Sequence, residues 1–164
     1  MRISRAYLPC AALALAALSQ PAIAATDTKD YPGTLCVRAE SATHHLFLDG
    51  QGGIFNGSGA EDVTMFCPIT RDLKHIISLQ VRLSVTTNAS TFCALRTIRS
   101  DRSIQAQQGL FTAFAAPTNT QLTFAGQAAP STGAGIYTLE CELPRAFPGS
   151  FAAGILMYRV VESD

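Results

Sequence analysis

Apolar and polar residues alternate along most of this chain with the two-residue period of a β-strand. The pattern is clearest over residues 75–87, where Ile77, Leu79, Val81, Leu83 and Val85 are separated by Ser78, Gln80, Arg82 and Ser84. One face of that segment is expected to be buried and the other wet, as in an antiparallel sheet. Residues 136–143 repeat the pattern, with Tyr137, Leu139, Cys141 and Leu143 expected inward and Thr138, Glu140 and Glu142 outward. Pro144 then ends the strand, because proline cannot donate to a ladder. Shorter runs predict further strands over residues 34–39, 44–48, 62–67, 90–98, 109–114, 121–124 and 155–161. The last of these is apolar on both faces, as a central strand would be. Turn formers separate the runs: Asp49-Gly50-Gln51-Gly52-Gly53, Asn56-Gly57-Ser58-Gly59, Pro117-Thr118-Asn119, Pro130-Ser131-Thr132-Gly133 and Pro148-Gly149. The longest helix candidate, residues 99–108, is polar all round and lacks an apolar stripe. Phe111, Phe114 and Phe124 with Leu110 and Leu122 read as an apolar hairpin over residues 109–126, expected to pack into the core, with an exposed partner-binding edge as the alternative. About eight or nine short strands spaced by turns predict an all-β fold, a single antiparallel β-sandwich, with a jelly-roll-like arrangement or an open barrel as alternatives.

The ends of the 164-residue chain read differently. Residues 1–24 have the form of an export signal: Arg2 and Arg5, an apolar run from Ala11 to Leu18, then the small-residue cleavage pattern Ala22-Ile23-Ala24. Cys10 is expected to leave with that signal. Residues 25–32 are polar, contain Pro32 and lack a period, so they are expected to be a flexible lead-in to a domain over residues 33–164. No later stretch approaches the length of apolar sequence needed to span a bilayer, so no membrane span is expected. The whole chain is neutral. Since the signal holds two arginines and no acid, its removal leaves the rest at minus two, no footprint for nucleic acid. The sequence therefore predicts a secreted or periplasmic monomer.

Four cysteines remain, Cys36, Cys67, Cys93 and Cys141, spaced 31, 26 and 48 residues apart. An even number in an oxidising compartment predicts two disulfides. The wide spacing lacks the close pairs that preorganise a zinc-thiolate site, and no cysteine is spare for catalysis. Three connectivities are open. Cys93 and Cys141 both lie mid-strand among inward apolar neighbours, which favours Cys93–Cys141 and with it Cys36–Cys67.

Taken in order, Phe66-Cys67-Pro68-Ile69, Cys93-Ala94-Leu95-Arg96-Thr97, Tyr137 to Pro144 (YTLECELP) and Ile155 to Glu162 (ILMYRVVE) give a pattern of CP, C-x-L, Y-x-L-x-C-x-L-P and Y-x-V-x-E. In that pattern the chain resembles a group of small secreted bacterial proteins. The resemblance implies a signal peptide followed by one disulfide-bonded β-rich domain, and it carries no activity across. Residues 44–49 and Arg99-Ser100-Asp101-Arg102 fall outside it.

Candidate chemistry is sparse. His44 and His45, flanked by Glu40 and Asp49, offer metal ligands, but neighbours on a strand point to opposite faces. His75, in the charged stretch after Arg71, reads as an ordinary turn residue. The glycine-rich segment from Asp49 to Asp62 ends in Glu61-Asp62, so Asp49, Glu61 and Asp62 form a candidate ligand loop for calcium or a glycan, although it lacks the repeated spacing of a calcium loop. Ser58 lies in Asn-Gly-Ser-Gly, which is not a nucleophile elbow. Glu140 and Glu142 share a strand face at a spacing a glycosidase could use, yet alternating surface carboxylates are commoner. With no tryptophan in the chain, a sugar platform would have to come from Phe55, Phe147 or Phe151. The reading that results is a secreted non-catalytic binding or structural module with a protein or glycan partner, no cofactor and no catalytic residues. The alternatives are a calcium- or carbohydrate-binding domain, and a small secreted hydrolase or hydrolase inhibitor using the 49–62 or 145–150 loops.

Overall fold

The computed structural model describes residues 26–39, 46–70, 72, 75–85, 89–113, 119–127, 135–149 and 152–164. The signal-like segment, Glu40, the His44-His45 pair, Arg71, Phe114 and Phe151 lie outside the described residues. Among the described residues there are eleven strands: β1 Thr26–Pro32, β2 Val37–Arg38, β3 Leu46–Leu48, β4 Ile54–Asn56, β5 Val63–Ile69, β6 His75–Ser84, β7 Phe92–Ile98, β8 Ile104–Phe111, β9 Thr120–Gln127, β10 Ile136–Leu143 and β11 Gly154–Ser163. They form two sheets. One runs β3-β4-β11-β6-β9, with β1 also on β11; the other runs β2-β5-β10-β7-β8. Every pairing is antiparallel. The inner faces enclose one core that includes Met65, Leu79, Val81, Leu83, Leu95, Phe124, Leu139, Tyr158 and Val160, so the architecture is the β-sandwich that alternation predicts.

Polar pins fasten the two layers where buried groups would otherwise go unpaired. Tyr158 on β11 donates its hydroxyl to the Pro68 carbonyl of β5 at 2.6 Å, and burial raises its pKa. Gln127 on β9 accepts from the Thr97 hydroxyl at 2.6 Å and donates to the Leu95 carbonyl at 2.9 Å, both on β7. Asn56, fully buried, donates to the carbonyls of Leu143 and Glu61, each at 3.0 Å.

Both disulfides join as the strand positions favour. Cys36 bonds Cys67 and Cys93 bonds Cys141. Cys93 and Cys141 sit directly opposite each other on β7 and β10, inside the core.

Four expectations are corrected. The lead-in over residues 25–32 is no lead-in: from Thr26 it is β1, paired along its length with β11, and Asp30 is held there by a two-pronged contact with Arg159 that lowers the Asp30 pKa. Its periodicity is hidden because it lies across a sheet edge and alternates only between exposed and half-buried. The helix candidate at residues 99–108 is a turn followed by β8, whose first half, Ile104-Gln105-Ala106-Gln107-Gln108, carries no clean two-residue period to reveal it. Residues 109–126 are not a hairpin, since β8 and β9 belong to different sheets. Leu122 and Phe124 enter the core while Phe111 faces out. Ile77 is 44% exposed, because a bulge opposite Val161 and Glu162 sends Ile76 inward in its place.

Gly33, in a short 3-10 turn at Gly33–Leu35, has no room for a side chain: a Cβ there would stand 1.9 Å from the Ile155 carbonyl oxygen. Gly33→Ala must push β11 away, and urea denaturation is expected to show a loss of about 3 kcal/mol. A midpoint within error of the wild type would show that the turn can move freely.

Candidate functional site

The outer face of the five-stranded sheet carries a contiguous apolar surface. Register places Val37, Phe66, Glu140, Ala94 and Gly109 in one row, Pro68, Thr138, Arg96 and Gln107 in the next, and Ile136, Ile98 and Ile104 in a third. Phe92 and Phe111 lie on the far side of the first row. Exposure is 61% at Val37, 68% at Phe111, 56% at Ile136, 52% at Ile104 and 37% at Phe66. Strand alternation alone would make these positions polar, and a contiguous exposed apolar surface marks a binding face.

Part of the face is a groove of about 750 Å³, lined among others by Val37, Phe66, Pro68, Ile98, Ile104 and Ile136. Arg96 and Arg102 also line it, as does Thr138, whose buried hydroxyl has no hydrogen-bond partner among the described residues. Across the middle runs a polar band. Arg96 forms an ion pair with Glu140 of β10 and donates from Nε to the Gln107 amide oxygen at 2.9 Å. Glu140 is thereby a partner of Arg96, and Glu142 is exposed one row away. The Phe92 and Phe111 rings stand 4.6 Å apart between centroids, tilted by 40°. Gly109 permits this arrangement, because a Cβ there would meet the Phe92 ring at 2.8 Å.

The residues singled out in sequence do not converge. Asp49 Oδ1 accepts from the backbone N–H of Gln51 at 3.0 Å and Gly53 at 2.6 Å, closing the turn between β3 and β4. It also lines a cleft of about 330 Å³ on the other sheet, with Arg82, Gln51, Asn119 and Met157. Glu61 and Asp62 lie beyond the opposite end of β4, where Asp62 accepts from the Arg145 N–H at 2.8 Å. The 49–62 segment therefore holds a hairpin turn at one end and a loop clasp at the other. Among the described residues no three His, Cys, Asp or Glu side chains group to hold a metal. Ser58 accepts from the N–H groups of Ala60 and Glu61, each at 3.2 Å, as a turn residue. Of the platform candidates, Phe55 stacks on Phe47 at 5.0 Å and Phe147 lies under Arg145 at 5.2 Å. Sequence reading does not single out Phe66 or Phe92, and it favours the core over an exposed edge for Phe111, which is 68% exposed. The available signal was that each occupies the outward phase of its own strand.

No family model matches the chain, and no curated protein sequence matches it. Among solved structures, one similar chain is a low-affinity xylan-binding module, CBM86, from Roseburia intestinalis. It is 10% identical, with 84% of this chain and 96% of that one covered and a TM-score of 0.48. Another is the CBM36-1 domain of a multidomain xylanase from the hindgut metagenome of Trinervitermes trinervoides, 9% identical, with coverage of 82% and 96% and a TM-score of 0.45. The GH26-CBM35 β-(1,4)-mannanase of Podospora anserina is 12% identical with a TM-score of 0.47. The likeness covers 84% of this chain and only 28% of that one. At these identities the likenesses carry no residue, ligand or activity across.

Proposed function

We propose that this domain is an exported, non-catalytic binding module that takes a glycan chain across the outer face of its five-stranded sheet. The observation that carries the reading is the layout of that face: exposed phenylalanine rings and aliphatic side chains flank a central band of planar hydrogen-bonding groups, Arg96, Glu140 and Gln107. A sugar ring has the same division, with C–H faces that lie on flat apolar surface and hydroxyls at the rim that pair with guanidinium, carboxylate and amide groups. An open groove on rigid strands suits a chain that extends beyond the protein at both ends. Two disulfides support export to an oxidising compartment, as does the resemblance to small secreted proteins.

Affinity electrophoresis of the oxidised domain in gels containing neutral and acidic polysaccharides tests the reading. Retention by at least one polysaccharide is expected. Phe111→Ala, at an exposed position, is expected to weaken it about fivefold, the worth of one ring contact. Free migration in every gel, or retention indifferent to both Phe111→Ala and Phe66→Ala, would remove the proposal.

A further inference from the structure

We infer that the ligand of this face is an anionic glycan, and that Arg102 receives its carboxylate; the inference rests on the glycan reading above. Charge over the groove does not balance. Its described lining contains two arginines and no Asp or Glu. Arg96 is neutralised from one side by Glu140. Arg102, by contrast, makes no ion pair or side-chain hydrogen bond among the described residues, although a carboxylate, Asp101, precedes it in the chain.

That carboxylate is already spent within the turn. Asp101 Oδ1 accepts from the Ser103 hydroxyl at 2.6 Å and from its N–H at 2.9 Å. The hydrogen bonds with Ser103, with the positive field of Arg99, hold Asp101 below the usual carboxylate range and therefore charged. The turn is closed by the Arg102 N–H to the Arg99 carbonyl at 3.0 Å and the Arg99 N–H to the Ser103 carbonyl at 2.9 Å. Closing it sets Arg102 at φ 69°, a conformation that arginine adopts only at a cost and that glycine would take freely. Arginine, with its long forked donor, stands there against its own backbone preference, at the rim of an apolar groove. The surplus guanidinium is exposed and lines the groove together with Ile98 and Ile104, where a planar carboxylate can take two parallel N–H donors. A sugar chain whose ring faces lie on Phe66 and Pro68 would bring a ring carboxylate to that end.

The test compares oligogalacturonate with its fully methyl-esterified form, which keeps the rings and removes the charge. Titrations use wild type, Arg102→Gln, Arg102→Lys and Arg102→Gly. The free acid is expected to bind wild type about tenfold tighter than the ester, the worth of one charged hydrogen-bond pair, and raised salt should narrow the gap. Arg102→Gln should bind acid and ester alike, and Arg102→Lys should restore part of the preference. Arg102→Gly should also lose it while unfolding at the wild-type midpoint or above, since it relieves the strained φ, so loss of preference is not loss of fold. Equal binding of acid and ester by wild type would overturn the inference and leave the glycan reading standing. A preference that survives Arg102→Gln would overturn it too. Failure of both oligomers to bind, with neutral polysaccharides still retained in gels, would overturn the anionic assignment alone; failure everywhere would remove both.

Discussion

Replacing Lys29 with methionine is expected to cost about 3 kcal/mol of folding free energy, measured as a drop in the urea midpoint at unchanged slope. Glu162 at the end of β11 is fully buried, and the Lys29 ammonium of β1 reaches it at 3.0 Å. The same ammonium meets Asp72 at 2.8 Å, Asp27 at 3.5 Å and the Thr70 carbonyl at 3.3 Å. Removing it would leave a buried carboxylate without its counter-ion, with the Asp72 N–H at 3.2 Å still donating to it, and losing the charge partner costs far more than the pair itself is worth. Lys29→Met combined with Glu162→Leu should therefore recover most of the loss, whereas an ordinary surface pair would lose under about 1 kcal/mol in the single variant and show no recovery. Burial alone would lower the Lys29 pKa, but its hydrogen bonds to Asp72 and Glu162 outweigh that and hold it above the ordinary 10.5. Because the folded value is the higher one, this stabilisation is complete below pH 10.5 and fades as pH rises through the folded value. Wild type should lose stability in that alkaline window, and Lys29→Met should not share the slope.

The second large effect concerns Cys93–Cys141. Replacing both with alanine is expected to cost about 4 kcal/mol in denaturant unfolding, the chain-entropy value for a 48-residue separation. The Cys36–Cys67 bond closes 31 residues and should cost slightly less. The two losses should nearly add, because the first bond ties β7 to β10 while the second ties the segment before β2 to β5. A double-alanine variant at 93 and 141 that unfolds at the wild-type midpoint would show that packing already confines these strands.

Where burial is one-sided, sequence pattern located the strands well. β10 spans the residues that alternation marks, with Tyr137, Leu139, Cys141 and Leu143 inward, because one of its faces is core. β1 and the first half of β8 are illegible for the opposite reason. Both lie at a sheet margin, and neither has a fully buried face to impose a period. Ile77 misled because a bulge shifts the phase in mid-strand, and single-strand alternation contains no record of the strand opposite. The proposed binding face is hidden in the sequence by a related route. Phe66, Ile98, Ile104, Phe111 and Ile136 are scattered over four strands and become one surface only when register sets them side by side. The acidic loop attracted notice instead, since Asp49, Glu61 and Asp62 are close in sequence, and pairing then puts them at opposite ends of β4.

The strand at the middle of the six-stranded sheet is also the last of the eleven to be synthesised. β11 pairs with β1, β4 and β6, and among the described residues β1 has no other strand partner. On the ribosome, then, the sheet has no centre until residues 154–163 emerge: β1 waits unpaired, β3 with β4 is a bare hairpin, and β6 has only β9. Such a nascent chain has nothing stable to fold into early, because its decisive contacts join its two ends. Under the export proposed above, delay of that kind would keep the polypeptide threadable through a narrow channel and would move folding to the compartment where its cysteines can be oxidised.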